Sequence, residues 1–177
     1  MKDLLVFVAD ADIMAFMTSM LRRPEALGIR ALTFDVIRHP QRDPGMVSTG
    51  PELARIEKAS YEKALLIWDH HGSGRESTRS SLTAAEEVSR RMDSVTWAGR
   101  HMTVALMPEL EQWLWHCEAA LASHLGITQQ DLQDRVGEYA RGERISADHA
   151  KQDRPKELFE AIMLRQLRRT ISPRDFE

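Results

Sequence analysis

A short apolar run that ends abruptly in an acid constrains the fold of this chain more than any other stretch. Residues 64–68 are Ala-Leu-Leu-Ile-Trp, and Asp69, His70, His71 and a Gly-Ser-Gly turn follow at once. A run of this length bounded by turn residues is typical of a buried strand in a parallel sheet. Chemistry in open α/β sheets lies beyond the carboxyl ends of such strands. We therefore expect Asp69 at a strand tip, where it binds a cation together with His71 or belongs to a solvated turn.

Two further strand-like runs, residues 4–9 and 101–107, also lead into acids. These acids are Asp10, Asp12, Glu109 and Glu111. Three of them have a local alternative: Asp12 is well placed to cap the helix that follows it, and the two glutamates would stabilise the first turn of a helix. Asp10, at the end of its strand, is harder to explain as a cap. The recurrence of acids after several strands nevertheless predicts a carboxylate cluster at one edge of a sheet.

Helical patterns separate the strand-like runs, and residues 31–37 supply one more strand candidate between them. The order of strand and helix predicts an α/β fold with a βαβαβαβ core, a mainly parallel four-stranded sheet and additional C-terminal helices. We place an α/β domain at residues 1–126 and a helical extension packed on it at residues 127–177. No internal repeat is present.

Several local signals refine this outline. The prolines and glycine of residues 39–45 predict a loop, and Pro51 predicts the start of the next helix. Residues 83–86, Thr-Ala-Ala-Glu, have the form of a capping box. Pro108 is expected to open a helix that buries Cys117, and residues 146–153 are expected to form a loop before a last helix near Pro155.

Composition excludes several classes of protein. The 177 residues carry a formal net charge of −3, so nucleic acid would have to bind through a local basic surface or through metal ions. The single cysteine excludes an internal disulfide and a cysteine-based zinc site. No signal peptide or membrane-spanning stretch is evident, so we expect a soluble cytoplasmic protein that does not bind membranes.

The acids predict a particular chemistry. Carboxylate oxygens suit Mg²⁺ or Mn²⁺, and such ions can hold the attacking and leaving oxygens of an in-line phosphoryl displacement. Lys156 or Arg42 would neutralise charge that develops on the phosphate. Lys156 is notable because a lysine in a first helical turn opposes the helix dipole, unless it faces the acidic cluster or a phosphate. His71 or His39 would serve as a ligand or proton carrier.

The chain resembles the TOPRIM-like group, and especially small bacterial TOPRIM-like proteins encoded beside an AAA-type ATPase in phage-defence loci. TOPRIM domains carry an acid after the first strand and a D-x-D motif after the third; Asp10 matches the former and Asp69 opens the latter. The second position of that motif is His71, which departs from the pattern. The motifs shared with the small defence proteins are His39-Pro-x-x-Asp43-Pro-Gly45, Pro108-Glu109-Leu-Glu111-x-Trp113 and Pro155-Lys156.

The resemblance implies a metal-dependent nuclease that acts on DNA or RNA as the effector subunit of a defence complex. An AAA-type ATPase would be its partner, and a homo-oligomer is compatible with the sequence. The main alternative is a catalytically weak TOPRIM-like subunit that binds and regulates the ATPase. Two lower-ranked alternatives are a phospho-acceptor receiver domain and a phosphatase that uses Asp10 and Asp12.

Overall fold

The computed structural model describes residues 1–177, which form two compact units. The first, here called the sheet unit, comprises residues 1–107 and 172–177. The second, the helical unit, comprises residues 108–171. The sequence predicted a boundary between the two parts of the chain after residue 126. In the structure, residues 108–126 pack on helices of the second unit.

The sheet unit is built on four parallel strands, as the sequence predicted. They are β1 (Lys2–Val8), β2 (Phe34–Arg38), β3 (Tyr61–Asp69) and β4 (His101–Leu106), and their order in the sheet is β2-β1-β3-β4. The two central strands carry the most continuous apolar runs, because side chains on both of their faces are buried. Leu5, Val6, Leu66 and Trp68 are accordingly fully inaccessible to solvent.

Three helices connect the strands: α1 (Ala11–Leu21), α2 (Arg42–Ile56) and α3 (Ser81–Met92). The chain moves from β1 to β2 in one direction along the sheet and from β2 to β3 and β4 in the other. Right-handed crossovers therefore place α1 on one face of the sheet and α2 and α3 on the opposite face. The contact between α2 and α3 agrees with this arrangement. The fold is thus a covered parallel α/β sheet.

Helix α2 begins earlier than the sequence indicated, at Arg42 instead of Pro51, so the expected loop at residues 39–45 was wrong in its second half. Pro44 is tolerated because the first helical residues have no intrahelical acceptor for an N–H group. Pro51 lies inside the helix and leaves the Val47 carbonyl without its usual donor. Arg91 of α3 donates to that oxygen at 2.5 Å, which compensates for the proline.

The start of α3 also differs from the prediction. Its N-cap is Ser80, whose hydroxyl accepts the N–H of Thr83 at 3.1 Å, so Thr83 does not begin a capping box. A short π-helical turn, Asp93–Trp97, follows α3 and leads to β4. The end of the chain returns to this unit: a 3₁₀ helix at Pro173–Phe176 packs against α1.

The helical unit contains a 3₁₀ helix (Leu110–His116) and the helices α4 (Glu118–Leu125), α5 (Gln129–Glu143), α6 (Ala147–Asp153) and α7 (Pro155–Leu167). The predicted helices at α5 and α7 are confirmed, and Thr128 caps α5 through a capping box. Residues 147–153 are helical and not a loop, because Ser146 caps them by accepting the His149 N–H. Cys117 is exposed, which corrects its expected burial.

None of the helices combines the length and the apolar character that crossing a membrane requires.

Candidate metal site

Asp69 is the last residue of β3 and is almost completely buried, with 6% of its surface exposed. It pairs in register with Leu106 of β4, and the N–H of the next residue, His70, donates to the Leu106 carbonyl at 2.8 Å. On the other side, the Asp69 N–H donates to Oδ1 of Asp43 at 2.9 Å. These contacts fix the backbone from which the Asp69 carboxylate projects.

Glu109 and Glu111 follow β4 after Pro108. Glu109 has extended backbone angles (φ −157°, ψ 172°) and precedes the 3₁₀ helix, in whose first turn Glu111 lies. Both carboxylates are buried, Glu111 at 1% exposure. Leu106 is the register partner of Asp69, so β3 and β4 end side by side, and the two glutamates follow β4 in the chain.

Asp69, Glu109 and Glu111 form the one group of potential metal ligands in the structure. Each offers one carboxylate oxygen, and these three oxygens all lie within 4.8 Å of one another. Like charges at this spacing in a buried setting repel one another and are costly to desolvate, so the group requires a counter-cation or bound protons. An all-oxygen donor set fits hard divalent cations such as Mg²⁺ and Mn²⁺.

Lys156 brings a positive charge to this cluster. It is the second residue of α7, after Pro155, and its Nζ lies 3.8 Å from Oε1 of Glu111. That separation allows an ion pair but exceeds the length of a hydrogen bond. The lysine side chain is 39% exposed and the glutamate side chain only 2%. An amine at this position therefore faces both the buried acid and solvent.

Asp10 and Asp12 have local roles in α1, the reverse of those expected. Asp10 is the N-cap, and its Oδ1 accepts the N–H groups of Asp12 and Ile13 at 3.1 and 2.9 Å. Asp12 lies in the first turn of the helix. Neither belongs to the group formed by Asp69, Glu109 and Glu111.

His71 and Arg42, the remaining predicted site residues, are both exposed. His71 lies in the turn just after β3, and Arg42 is the first residue of α2 with a left-handed φ of 52°. In the turn that follows His71, the Gly72 N–H donates to the Glu76 carboxylate. Backbone N–H groups, including those of Glu76 itself and Gly72, hold the pKa of Glu76 below its usual value.

Both ring nitrogens of His39 have hydrogen-bond partners within the protein. Its Nδ1 accepts the N–H of Gln41 at 3.0 Å, and its Nε2 lies 3.1 Å from Oγ1 of Thr49. Burial lowers the pKa of the imidazole, which is 1% exposed. Nδ1 must be unprotonated in order to accept, so the neutral ring carries its proton on Nε2 and donates to Thr49.

Asp43, noted in the sequence as part of a shared motif, holds the backbone of Asp69 from its position shortly after the end of β2. A second residue near the site, His70, was not singled out from the sequence. His70 is 3% exposed, and its Nδ1 has no hydrogen-bond partner in the protein.

Comparison with known proteins returned no relationship: no family model matches the chain, and no curated protein or solved structure matches it.

Proposed function

We propose that this protein is a divalent-metal-dependent nuclease that hydrolyses phosphodiester bonds of DNA or RNA. The observation that carries the proposal is the convergence of Asp69, Glu109 and Glu111, whose oxygens lie within 4.8 Å of one another in a buried setting. These carboxylates would hold Mg²⁺ or Mn²⁺. A bound ion of this kind supplies Lewis-acid stabilisation of the charge that develops in phosphoryl transfer.

The basic residues have complementary roles in the proposal. Lys156, placed 3.8 Å from Glu111 and partly exposed, would contact a phosphate oxygen of the substrate and stabilise its negative charge. Arg42 and His71 are exposed residues of the sheet unit, the first at the start of α2 and the second just beyond β3. Arg42 would bind a flanking phosphate, and His71 would transfer a proton to or from a reacting oxygen.

The TOPRIM-like resemblance is part of the same proposal. The four parallel strands support it, with one acid just after β1 and another at the tip of β3. The ligand set departs from the TOPRIM pattern, because Asp10 caps α1 and the second position of the D-x-D motif is the exposed His71. We propose that the chain acts as the effector subunit of an anti-phage defence complex with an AAA-type ATPase partner.

These same departures favour a second candidate function. Two of the positions at which the resemblance expects ligands contribute none to the acidic group. A TOPRIM-like subunit with an incomplete ligand set would bind the ATPase and regulate it without efficient cleavage of nucleic acid.

The test is cleavage by the purified protein of plasmid DNA and of single-stranded RNA with Mn²⁺ or Mg²⁺, and with EDTA as the blank. We expect metal-dependent cleavage that Asp69→Ala and Glu111→Gln each reduce by about 100-fold or more, and that Glu86→Ala leaves unchanged. Glu86 is an exposed acid on α3 and so controls for loss of surface charge. Mn²⁺ binding without cleavage would favour the regulatory subunit. Cleavage that persists in Asp69→Ala would overturn the proposal.

A further inference from the structure

The tip of β3 is held by a side chain from a different element. Register pairing between β1 and β3 ends at Val8 and Ile67, so the N–H of Asp69 lies beyond the ladder. A buried backbone N–H without an acceptor is costly, and Oδ1 of Asp43 provides the acceptor at 2.9 Å. The bond joins residues that are far apart in sequence, at the point where the candidate metal ligand leaves the sheet.

The turn that presents Asp43 is fixed by several independent contacts. The His39 ring accepts the Gln41 N–H through Nδ1 at 3.0 Å. Arg42 adopts φ 52°, a conformation that is unfavourable for a residue with a side chain. Gly45 lies against the His39 ring with no room for a Cβ atom. Backbone strain of this kind persists only where the surrounding structure enforces it, and it is concentrated at functional sites.

We propose that Asp43 is a positioning residue for the candidate metal site: its carboxylate fixes the backbone of Asp69 and thereby orients the Asp69 carboxylate toward Glu109 and Glu111. The effect of Asp43 on metal binding rests on the proposed function. The hydrogen bond by which Asp43 fixes the Asp69 backbone does not. Mutation of a residue that orients a metal ligand typically weakens metal binding by about 10- to 100-fold.

The geometric part is tested by amide hydrogen exchange of Asp69, measured by NMR without metal. Asp43→Asn retains an oxygen acceptor at the same position, whereas Asp43→Ala removes it. We expect a protected Asp69 amide in the wild type and in Asp43→Asn, and exchange at least about tenfold faster in Asp43→Ala. An Asp69 amide that is unprotected in the wild-type protein would overturn the proposal.

The metal part is tested by titrating the same three proteins with Mn²⁺ in a calorimeter, with Glu86→Ala as the control and thermal unfolding as the check on folding. We expect Asp43→Ala to weaken Mn²⁺ binding by about tenfold or more, and Asp43→Asn to remain within about threefold of the wild type. Equal losses in both variants would mean that the charge and not the hydrogen bond matters, and would overturn the positioning role. A wild type that binds no Mn²⁺ while its Asp69 amide is protected would overturn the proposed function and the metal part, but not the geometric part.

Discussion

The imidazole of His39 lies so close to the backbone of Gly45 that a Cβ atom at position 45 would come within 2.2 Å of both Cε1 and Nδ1 of the ring. Glycine to alanine inside a helix normally stabilises by up to about 1 kcal/mol. Here the His39 ring is buried and cannot move aside without losing its hydrogen bonds. The steric cost of the added methyl group therefore exceeds the gain in helix propensity. We predict that Gly45→Ala lowers the free energy of unfolding by about 1–3 kcal/mol, measured by urea denaturation.

The matched control for this prediction is Gly142→Ala in α5, where no atom lies within 4 Å of the added Cβ. This variant should be neutral or slightly stabilising. Equal stability of the two variants would contradict the steric argument.

Folding stability should depend on the protonation of His39. Burial lowers its pKa in the folded state from the usual value of 6.5, and protonation would also abolish the acceptor for the Gln41 N–H. As the pH falls below about 6.5, the unfolded chain takes up a proton that the folded chain resists. The stability contributed by neutral His39 is therefore present above pH 6.5 and is lost as the pH falls toward the folded-state pKa.

The measurement is urea denaturation between pH 7.5 and pH 5 for the wild type and for His39→Asn. The difference in unfolding free energy between the two proteins should shrink with falling pH, with a slope of at most about 1.4 kcal/mol per pH unit. Identical pH profiles for the two proteins would show that His39 does not contribute.

Asp10 should affect stability and not metal binding, because its carboxylate caps α1. We predict that Asp10→Ala lowers the unfolding free energy by about 1 kcal/mol, whereas Asp10→Ser, which retains a capping oxygen, restores most of it. Mn²⁺ affinity should stay within about twofold of the wild type in both variants. Loss of Mn²⁺ binding in Asp10→Ser, as in Asp69→Ala, would instead identify Asp10 as a ligand.

Lys156 should have opposite effects on metal binding and on cleavage. Its amine lies 3.8 Å from Glu111, so it competes with a cation for the charge of that acid. We predict that Lys156→Met raises Mn²⁺ affinity about threefold, a factor in the range of a partly exposed ion pair, while reducing cleavage of nucleic acid. Lys151→Met, which removes the similar ion pair with Glu118 on α4, should change neither. Weaker Mn²⁺ binding in Lys156→Met would contradict the competition.

The strands were predictable because the chemistry that defines them is local. The run that ends at Asp69 is apolar on both faces, as a central parallel strand requires, and its boundary is marked by an acid and a turn. The same reasoning placed Glu109 and Glu111 beside Asp69, since parallel strands end at a common edge. The apolar run of β3 and the common edge of parallel strands thus account for the prediction of Asp69, Glu109 and Glu111 as one group.

The role of Asp10 and the turn at residues 39–45 could not be obtained in this way. An acid after a strand caps the next helix if that helix begins at the following residue, as α1 does after Asp10. The exact residue at which the helix begins is not evident from the sequence. The start of α2 depends on His39 packing against Gly45 and on Arg91 compensating for Pro51, and both contacts form only in the folded chain.

Cys117 shows how a helical period can mislead. Leu110, Leu114, Cys117 and Leu121 are spaced as on one face of a single α-helix, which predicts a buried thiol. The segment Leu110–His116 is instead a 3₁₀ helix, with about three residues per turn, and the backbone breaks at Cys117 (φ −126°, ψ 48°). Cys117 therefore does not continue the apolar face of the preceding helix, and its thiol is exposed.

The packing of Pro173–Phe176 against α1 has a consequence for synthesis of the chain. Phe176 is 5% exposed in the folded protein, and the helix with which its segment packs is translated well before that segment. The surface of α1 that receives this segment stays open to solvent while the intervening residues, including all of the helical unit, are translated. Because domains fold as the chain emerges, the sheet unit is completed last even though its first strand is made first. A nascent chain stalled before residue 173 would therefore leave exposed the surface of α1 that Pro173–Phe176 covers in the folded protein.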